Sequence, residues 1–324
     1  MTSIAAAVLA LALVPAPVAD PMLERFSYGW PVERHAFQNQ GEELAMAYLD
    51  VRPTRSNGRT AVLMHGKNFC AGSWEATIRH LTGAGYRVIA PDQIGFCKST
   101  KPARYQYGLH TFAANTHALL EKLGVERPIL IGHSMGGMLA MRYAIQYPEA
   151  VSKLVLVNPI GLEDWRAKGV PNATIDELYA AERKTTRASI KAYQQKTYYA
   201  GTWRPGYDKW VNMLASMYEG EGGAVTAWHQ ALTADMIFNQ PVVHELERIN
   251  VPTVLMIGGK DTTALGKNRA DSALTATLGN YPVLGRAAAA RIRGARLISY
   301  PDLGHSPQVQ DEARFHADLL DAIG

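Results

Sequence analysis

The sequence holds only two cysteines in 324 residues, Cys70 and Cys97, too few for a disulfide-built scaffold or a thiolate metal cluster. It has no H-E-x-x-H and no Cys/His group at ligand spacing, so metal catalysis finds no support. Neither the dinucleotide-binding nor the P-loop glycine pattern occurs, and no cofactor is expected. No run of five like charges appears, and a formal net charge of +4 is mild for this length. That excludes a basic stripe for RNA or DNA, so no nucleic-acid partner is expected. No apolar run reaches the roughly 20 residues of a membrane helix, so no stable membrane span is expected.

What is present begins with the apolar run Ile4 to Val14, followed by Pro15, Pro17 and small residues up to Ala19. Residues 1–19 read as a secretory signal peptide, although the start brings no Lys or Arg. The expectation is a periplasmic or secreted protein, with a cytoplasmic one as the alternative.

From residue 31 two strands are predicted, Val32 to Phe37 and Leu44 to Val51, the second with period-two alternation. Bare apolar runs then alternate with helical stretches. The runs are Ala61 to Met64, Arg87 to Ala90, Pro128 to Ile131, Lys153 to Val157, Pro252 to Ile257 and Ala295 to Tyr300. Such runs indicate a parallel sheet covered on both faces. The alternation lapses from Ile160 to Gln240, far longer than an ordinary connection of roughly 2–6 residues. A core domain over 31–159 and 241–324 is therefore expected, with a helical cap, 160–240, above the sheet.

Gly132-His133-Ser134-Met135-Gly136 directly follows the strand Ile129 to Ile131 and opens a helix. A sharp strand-to-helix turn of this kind lifts a serine hydroxyl above the sheet at a helix N-terminus. A serine needs a base, and among ten histidines His305 lies just beyond the last strand, where sites assemble in parallel sheets. The base needs an acid, and Asp261 follows the strand ending at Ile257; Asp302 and Asp164 are the competitors. His133 and His65 read as structural. Two amides must meet the oxyanion: that of Met135, after the nucleophile, and that of Lys67, with Asn68 as the lesser choice. The Lys67 side chain is expected to point to solvent.

The series His65-Gly66, Pro91 to Gly95, Gly132 to Gly137, Gly258 to Asp261 and Gly304-His305 resembles the α/β-hydrolase superfamily, in its lidded esterase-like branch. The resemblance covers roughly residues 31 to 324. It implies an eight-stranded, mostly parallel sheet with helices on both faces and a cap between strands six and seven. One departure is Cys97, where relatives often carry glycine. Because the third and fourth strands are neighbours in that fold, the resemblance also implies a Cys70–Cys97 disulfide.

The resemblance specifies chemistry better than substrate. A serine nucleophile argues against the aspartate-dependent dehalogenases and epoxide hydrolases. The expected reaction is hydrolysis of a carboxylic ester, lactone or thioester through an acyl-enzyme. Carbon–carbon bond hydrolysis of a ring-cleavage diketone and a catalytically silent binding protein are the alternatives. Aromatic residues crowd the cap, and Asn68, Trp203, Trp210, Met213 and Trp228 are the expected pocket residues around a partly apolar small-molecule substrate. Glu177, Glu182 and Glu219 are read as solvated helix faces, and the chain as a monomer or weak homo-oligomer.

Overall fold

A computed structural model of the protein describes residues 20–324; the leader expected over residues 1–19 lies outside them. Eight strands form one sheet: β1 (Glu33–Asn39), β2 (Glu42–Val51), β3 (Thr60–Met64), β4 (Arg87–Pro91), β5 (Ile129–His133), β6 (Lys153–Val157), β7 (Thr253–Gly258) and β8 (Arg296–Tyr300). Their spatial order is β1-β2-β4-β3-β5-β6-β7-β8. β2 runs antiparallel to both β1 and β4, and every other pairing is parallel. Every residue of β5 and β7 is buried, as strands covered on both faces require. At the sheet edge, His35 is the one buried residue of β1.

Three helices, α1 (Glu75–Gly83), α2 (Leu109–Lys122) and α3 (Met135–Gln146), connect the strands up to β6. Between β6 and β7 come α4 (Ile175–Glu182), α5 (Arg187–Tyr193), a π-helical turn (Gln194–Tyr198), α6 (Asp208–Tyr218) and α7 (Gly223–Asn239). α4 and α5 begin where Thr174 and Thr186 accept the N–H three residues on, which satisfies a donor that the helix itself cannot. α8 (Ser272–Thr275) and α9 (Tyr281–Arg291) precede β8, and α10 (Pro307–Gln310) and α11 (Glu312–Ile323) follow it. Among the described residues no helix is long and apolar enough to cross a membrane.

Cys70 and Cys97 form a disulfide, with Cα atoms 5.9 Å apart. Cys97 has φ 46°, a backbone conformation that favours glycine, the residue the family resemblance implies at this position. The bridge joins the segments after β3 and β4 and closes a loop of 27 residues. In the chain-entropy model this is worth about 3–4 kcal/mol. Replacing both cysteines by serine should lower the thermal midpoint by roughly 5 °C, read by differential scanning fluorimetry. An unchanged midpoint would show that the bridge does not form.

Two buried histidines make the fold acid-sensitive. His229 on α7 meets the Tyr107 hydroxyl at 2.6 Å through Nδ1, and His316 on α11 accepts from Thr77 at 2.9 Å through Nε2. Burial, helped by Lys101 for the first and His80 for the second, lowers each from 6.5 to about 4. With the folded value below the unfolded one, the unfolded chain binds more protons as pH falls from 6.5 toward 4. Stability is therefore full above pH 6.5 and lost through that window, by on the order of 2–3 kcal/mol per histidine. The thermal midpoint should fall steeply between pH 6.5 and 4.5; a flat profile there would contradict the assignment.

Candidate active site

The turns after β5, β7 and β8 meet at the carboxyl edge of the sheet. Ser134 follows β5 at φ 57° and ψ −119°, a strained conformation for a residue with a side chain. The turn closes because its neighbours have none. A Cβ on Gly132 would lie 2.2 Å from the Gly136 carbonyl oxygen, and one on Gly136 would lie 2.0 Å from that of Met64. The Ser134 carbonyl accepts from the amides of Gly137, Met138 and Ile160, which anchors the start of α3 beneath the hydroxyl.

Asp261, in the loop after β7, is buried and receives three donors. Oδ2 accepts from His305 Nδ1 at 2.6 Å and from Asn158 Nδ2 at 2.8 Å, and Oδ1 accepts from the Thr263 amide at 2.8 Å. Donating its Nδ1–H to Asp261 leaves His305 with a lone pair on Nε2. Among the described residues that nitrogen has no hydrogen-bond partner. Ser134 and His305 line one cavity of about 490 Å³, within the range of small-molecule sites. The structure thus brings Ser134, Asp261 and His305 together and leaves the competitors elsewhere. Asp302 is exposed and paired with Arg314, and Asp164 bonds His244 and the Ala167 amide.

Four residues that the sequence left in the background hold this arrangement. Asn158, directly after β6, is fixed by accepting the Gly258 amide at 2.8 Å and so presents its NH₂ to Asp261. His133 donates from Nε2 to the His305 carbonyl at 2.8 Å. Burial, aided by the neighbouring His305, holds its pKa well below the ordinary histidine value, which keeps it neutral. The π-helical turn supplies the other two: the Thr197 and Tyr198 carbonyls accept from the His305 and Ser306 amides at 3.2 Å each. The Tyr198 ring stacks on the His305 imidazole at 5.3 Å. Asn158 had a sequence signal, since it too ends a strand at the carboxyl edge. The Tyr198 contact had none.

The loop after β3 lies against the serine, so that a Cβ on Gly66 would be 3.1 Å from Ser134 Cβ. The Gly66 carbonyl is occupied by His65 Nδ1 at 2.9 Å and by the Phe69 amide at 3.1 Å, while His65 Nε2 accepts from the Gln93 amide at 3.0 Å. In a trans peptide the N–H points opposite to the carbonyl, so these bonds fix the direction of the Lys67 amide. The Met135 amide is the first of α3 and has no acceptor within the helix.

The Lys67 side chain is mostly buried and turns toward the helical insertion rather than out to solvent. Its ammonium bonds Glu182 Oε1 at 2.6 Å, and Tyr218 donates to Glu182 Oε2 at 2.6 Å. Both are mostly buried, so Glu182 is not a solvated helix face; it lies at the end of α4 and shares the cavity with Lys67. Burial and Glu182 raise the Tyr218 phenol well above its usual value, which keeps it a donor. Glu177 does stand exposed, as the partner of Thr174, and Glu219 pairs with Arg187.

Of the expected pocket residues only Asn68 lines the cavity. Trp203 packs on Tyr199 and Tyr207, Trp210 lies under Lys209, Trp228 meets the edge of Tyr179, and Met213 is fully buried. They are taken up by packing rather than by the cavity wall. Leu214 and Tyr218, one turn apart on α6, face the cavity with Trp165, Ile190 and Ile237. The wall is also more polar than the sequence suggested, since it includes Thr185, Ser189 and Gln194.

Comparison with known proteins adds the lineage. The family model described as alpha/beta hydrolase fold matches residues 62–311. A crystal structure of a probable hydrolytic enzyme from Pseudomonas aeruginosa PAO1 is 59% identical, with a TM-score of 0.94 over 95% of this chain and 99% of that one. A non-heme haloperoxidase of Rhodococcus erythropolis is 25% identical over 82% of this chain and 93% of its own length. A 2-hydroxy-6-oxo-6-phenylhexa-2,4-dienoate hydrolase of Comamonas testosteroni is 38% identical over 108 residues, 32% of this chain and 38% of that protein.

Proposed function

The chain belongs to the alpha/beta hydrolase fold family, and from that premise we propose that it is a serine hydrolase of carboxylic esters. Ser134 attacks the carbonyl while His305 Nε2 takes its proton and returns it to the leaving alkoxide. Asp261 holds the imidazole in the tautomer that exposes Nε2, and the Lys67 and Met135 amides hold the oxyanion. Water then releases the acid from the acyl-enzyme. The helices of 160–240 form the cap over the substrate. The observation that carries this reading is the buried 2.6 Å contact between Asp261 and His305, which leaves Nε2 unpartnered at the wall of the cavity that Ser134 lines. The disulfide agrees with an oxidising compartment, and export is part of the proposal.

Carbon–carbon bond hydrolysis is the second reading, favoured by the Comamonas testosteroni hydrolase named above. One experiment separates the two. The wild-type protein is offered p-nitrophenyl esters from acetate to octanoate and, separately, a ring-cleavage 1,5-diketone, with fluorophosphonate labelling followed by peptide mass spectrometry. Ester turnover with the label on Ser134 supports the proposal. Turnover of the diketone alone favours the second reading. No turnover of either, with the serine unlabelled, would overturn both and point to a silent binding protein.

A further inference from the structure

Lys67 lines the cavity, and the mechanism above uses only its backbone amide, not its ammonium. Three facts bear on what the side chain does. First, an ammonium has three donors, and among the described residues Glu182 is the only acceptor the Lys67 ammonium meets. Second, both oxygens of Glu182 are taken, by Lys67 and by Tyr218, while the ammonium keeps donors for a further acceptor in the cavity that Lys67 lines. Third, the wall continues with Thr185, Ser189 and Gln194. Gln194 is 1% exposed, and among the described residues neither of its amide atoms has a partner. Buried donors left without acceptors are costly, and a substrate that supplies the acceptor removes that cost.

Charge decides which acceptor fits. The Lys67–Glu182 pair is neutral overall. A carboxylate brought to the ammonium would also come close to Glu182, and repulsion between like charges in a desolvated site would offset the attraction. A neutral oxygen, such as a ketone or hydroxyl, takes the free donor without that repulsion. Gly66 packs on Ser134, so the Lys67 backbone starts beside the serine that takes up the acyl group.

We propose that the Lys67 ammonium, held by Glu182 and Tyr218, selects acyl groups that carry a neutral oxygen substituent, so that the preferred substrates are esters of keto or hydroxy acids. This rests on the ester-hydrolase reading. The test compares three methyl esters by pH-stat: pentanoate, 4-oxopentanoate and the monoester of glutaric acid. They match in chain length and leaving group, and each rate is divided by that of alkaline hydrolysis. In the wild type, kcat/KM for 4-oxopentanoate should exceed that for pentanoate by about 10-fold or more, as expected for one hydrogen bond to a charged donor. Lys67→Met should bring that ratio to near 1. Glu182→Gln leaves the ammonium uncompensated, and should raise the monoglutarate ester relative to pentanoate by about 10-fold.

A wild-type ratio near 1 would overturn the proposal. So would a Lys67→Met variant that slows all three esters by the same factor, which would make the pair only a tie between the oxyanion loop and the cap. If the wild type hydrolyses none of these esters or the p-nitrophenyl series, the ester-hydrolase reading itself fails, and that outcome is distinct from the other two.

Discussion

Asp261→Asn will lower kcat by about 10⁴-fold with KM little changed, and adding it to Ser134→Ala will cost almost nothing further. The first part follows from where the donors point. The carboxylate accepts from His305 and Asn158 on one oxygen and from the Thr263 amide on the other. An asparagine offers one acceptor and one NH₂. If its oxygen faces Thr263, the NH₂ confronts the Asn158 NH₂, whose orientation is locked by the Gly258 amide. His305 must then accept at Nδ1 and carry its proton on Nε2, where it can no longer act as a base. If the oxygen faces His305 instead, the NH₂ confronts the Thr263 N–H and the side chain is pushed off its position. Either arrangement costs the tautomer or the geometry, and losing an orienting acid in such a triad is worth about 10⁴ in kcat. The second part follows because residues that act as one unit are not additive. Steady-state kinetics on the ester series checks both, with circular dichroism to confirm the fold. Asp302→Asn is the control and should stay within about 3-fold, since Asp302 is an exposed partner of Arg314. Retention of more than a tenth of the activity by Asp261→Asn would remove Asp261 from the mechanism.

The second large effect is structural. Gly136→Ala should cost more than about 4 kcal/mol and in practice abolish soluble expression or drop the thermal midpoint by roughly 6 °C or more. The added Cβ would lie 2.0 Å from the Met64 carbonyl oxygen, 2.4 Å from its carbon and 2.7 Å from the His65 carbonyl oxygen. All three are backbone atoms, so no rotamer change relieves the contact; α3 would have to lift off β3. Gly83→Ala is the informative contrast. It lies at the end of α1, where an added Cβ meets nothing within 4 Å, and should gain about 0.5–1 kcal/mol. Equal midpoints for the two variants would mean that the turn at Ser134 is not held as tightly as these distances require.

The sequence by itself determined the sheet and the turns on its carboxyl edge. Bare apolar runs such as Ile129 to Ile131 and Lys153 to Val157 mark strands buried on both faces, because burial removes the alternation that a half-exposed strand would show. Glycines around Ser134 mark a turn too tight for side chains, and Asp261 and His305 are found because strand ends are countable along the chain. These are local properties, written in neighbouring residues. The cavity wall was decided by tertiary structure. An aromatic side chain looks the same in sequence whether it faces a substrate or packs against its neighbours, and Trp203 and Trp228 turned out to do the second. The meeting of Lys67 with Glu182 spans 115 positions, and the stacking of Tyr198 on His305 spans more than 100. Neither side chain carries a local mark of its partner. Only the docking of the helical insertion on the sheet brings those groups within reach, and with them the polarity of the site.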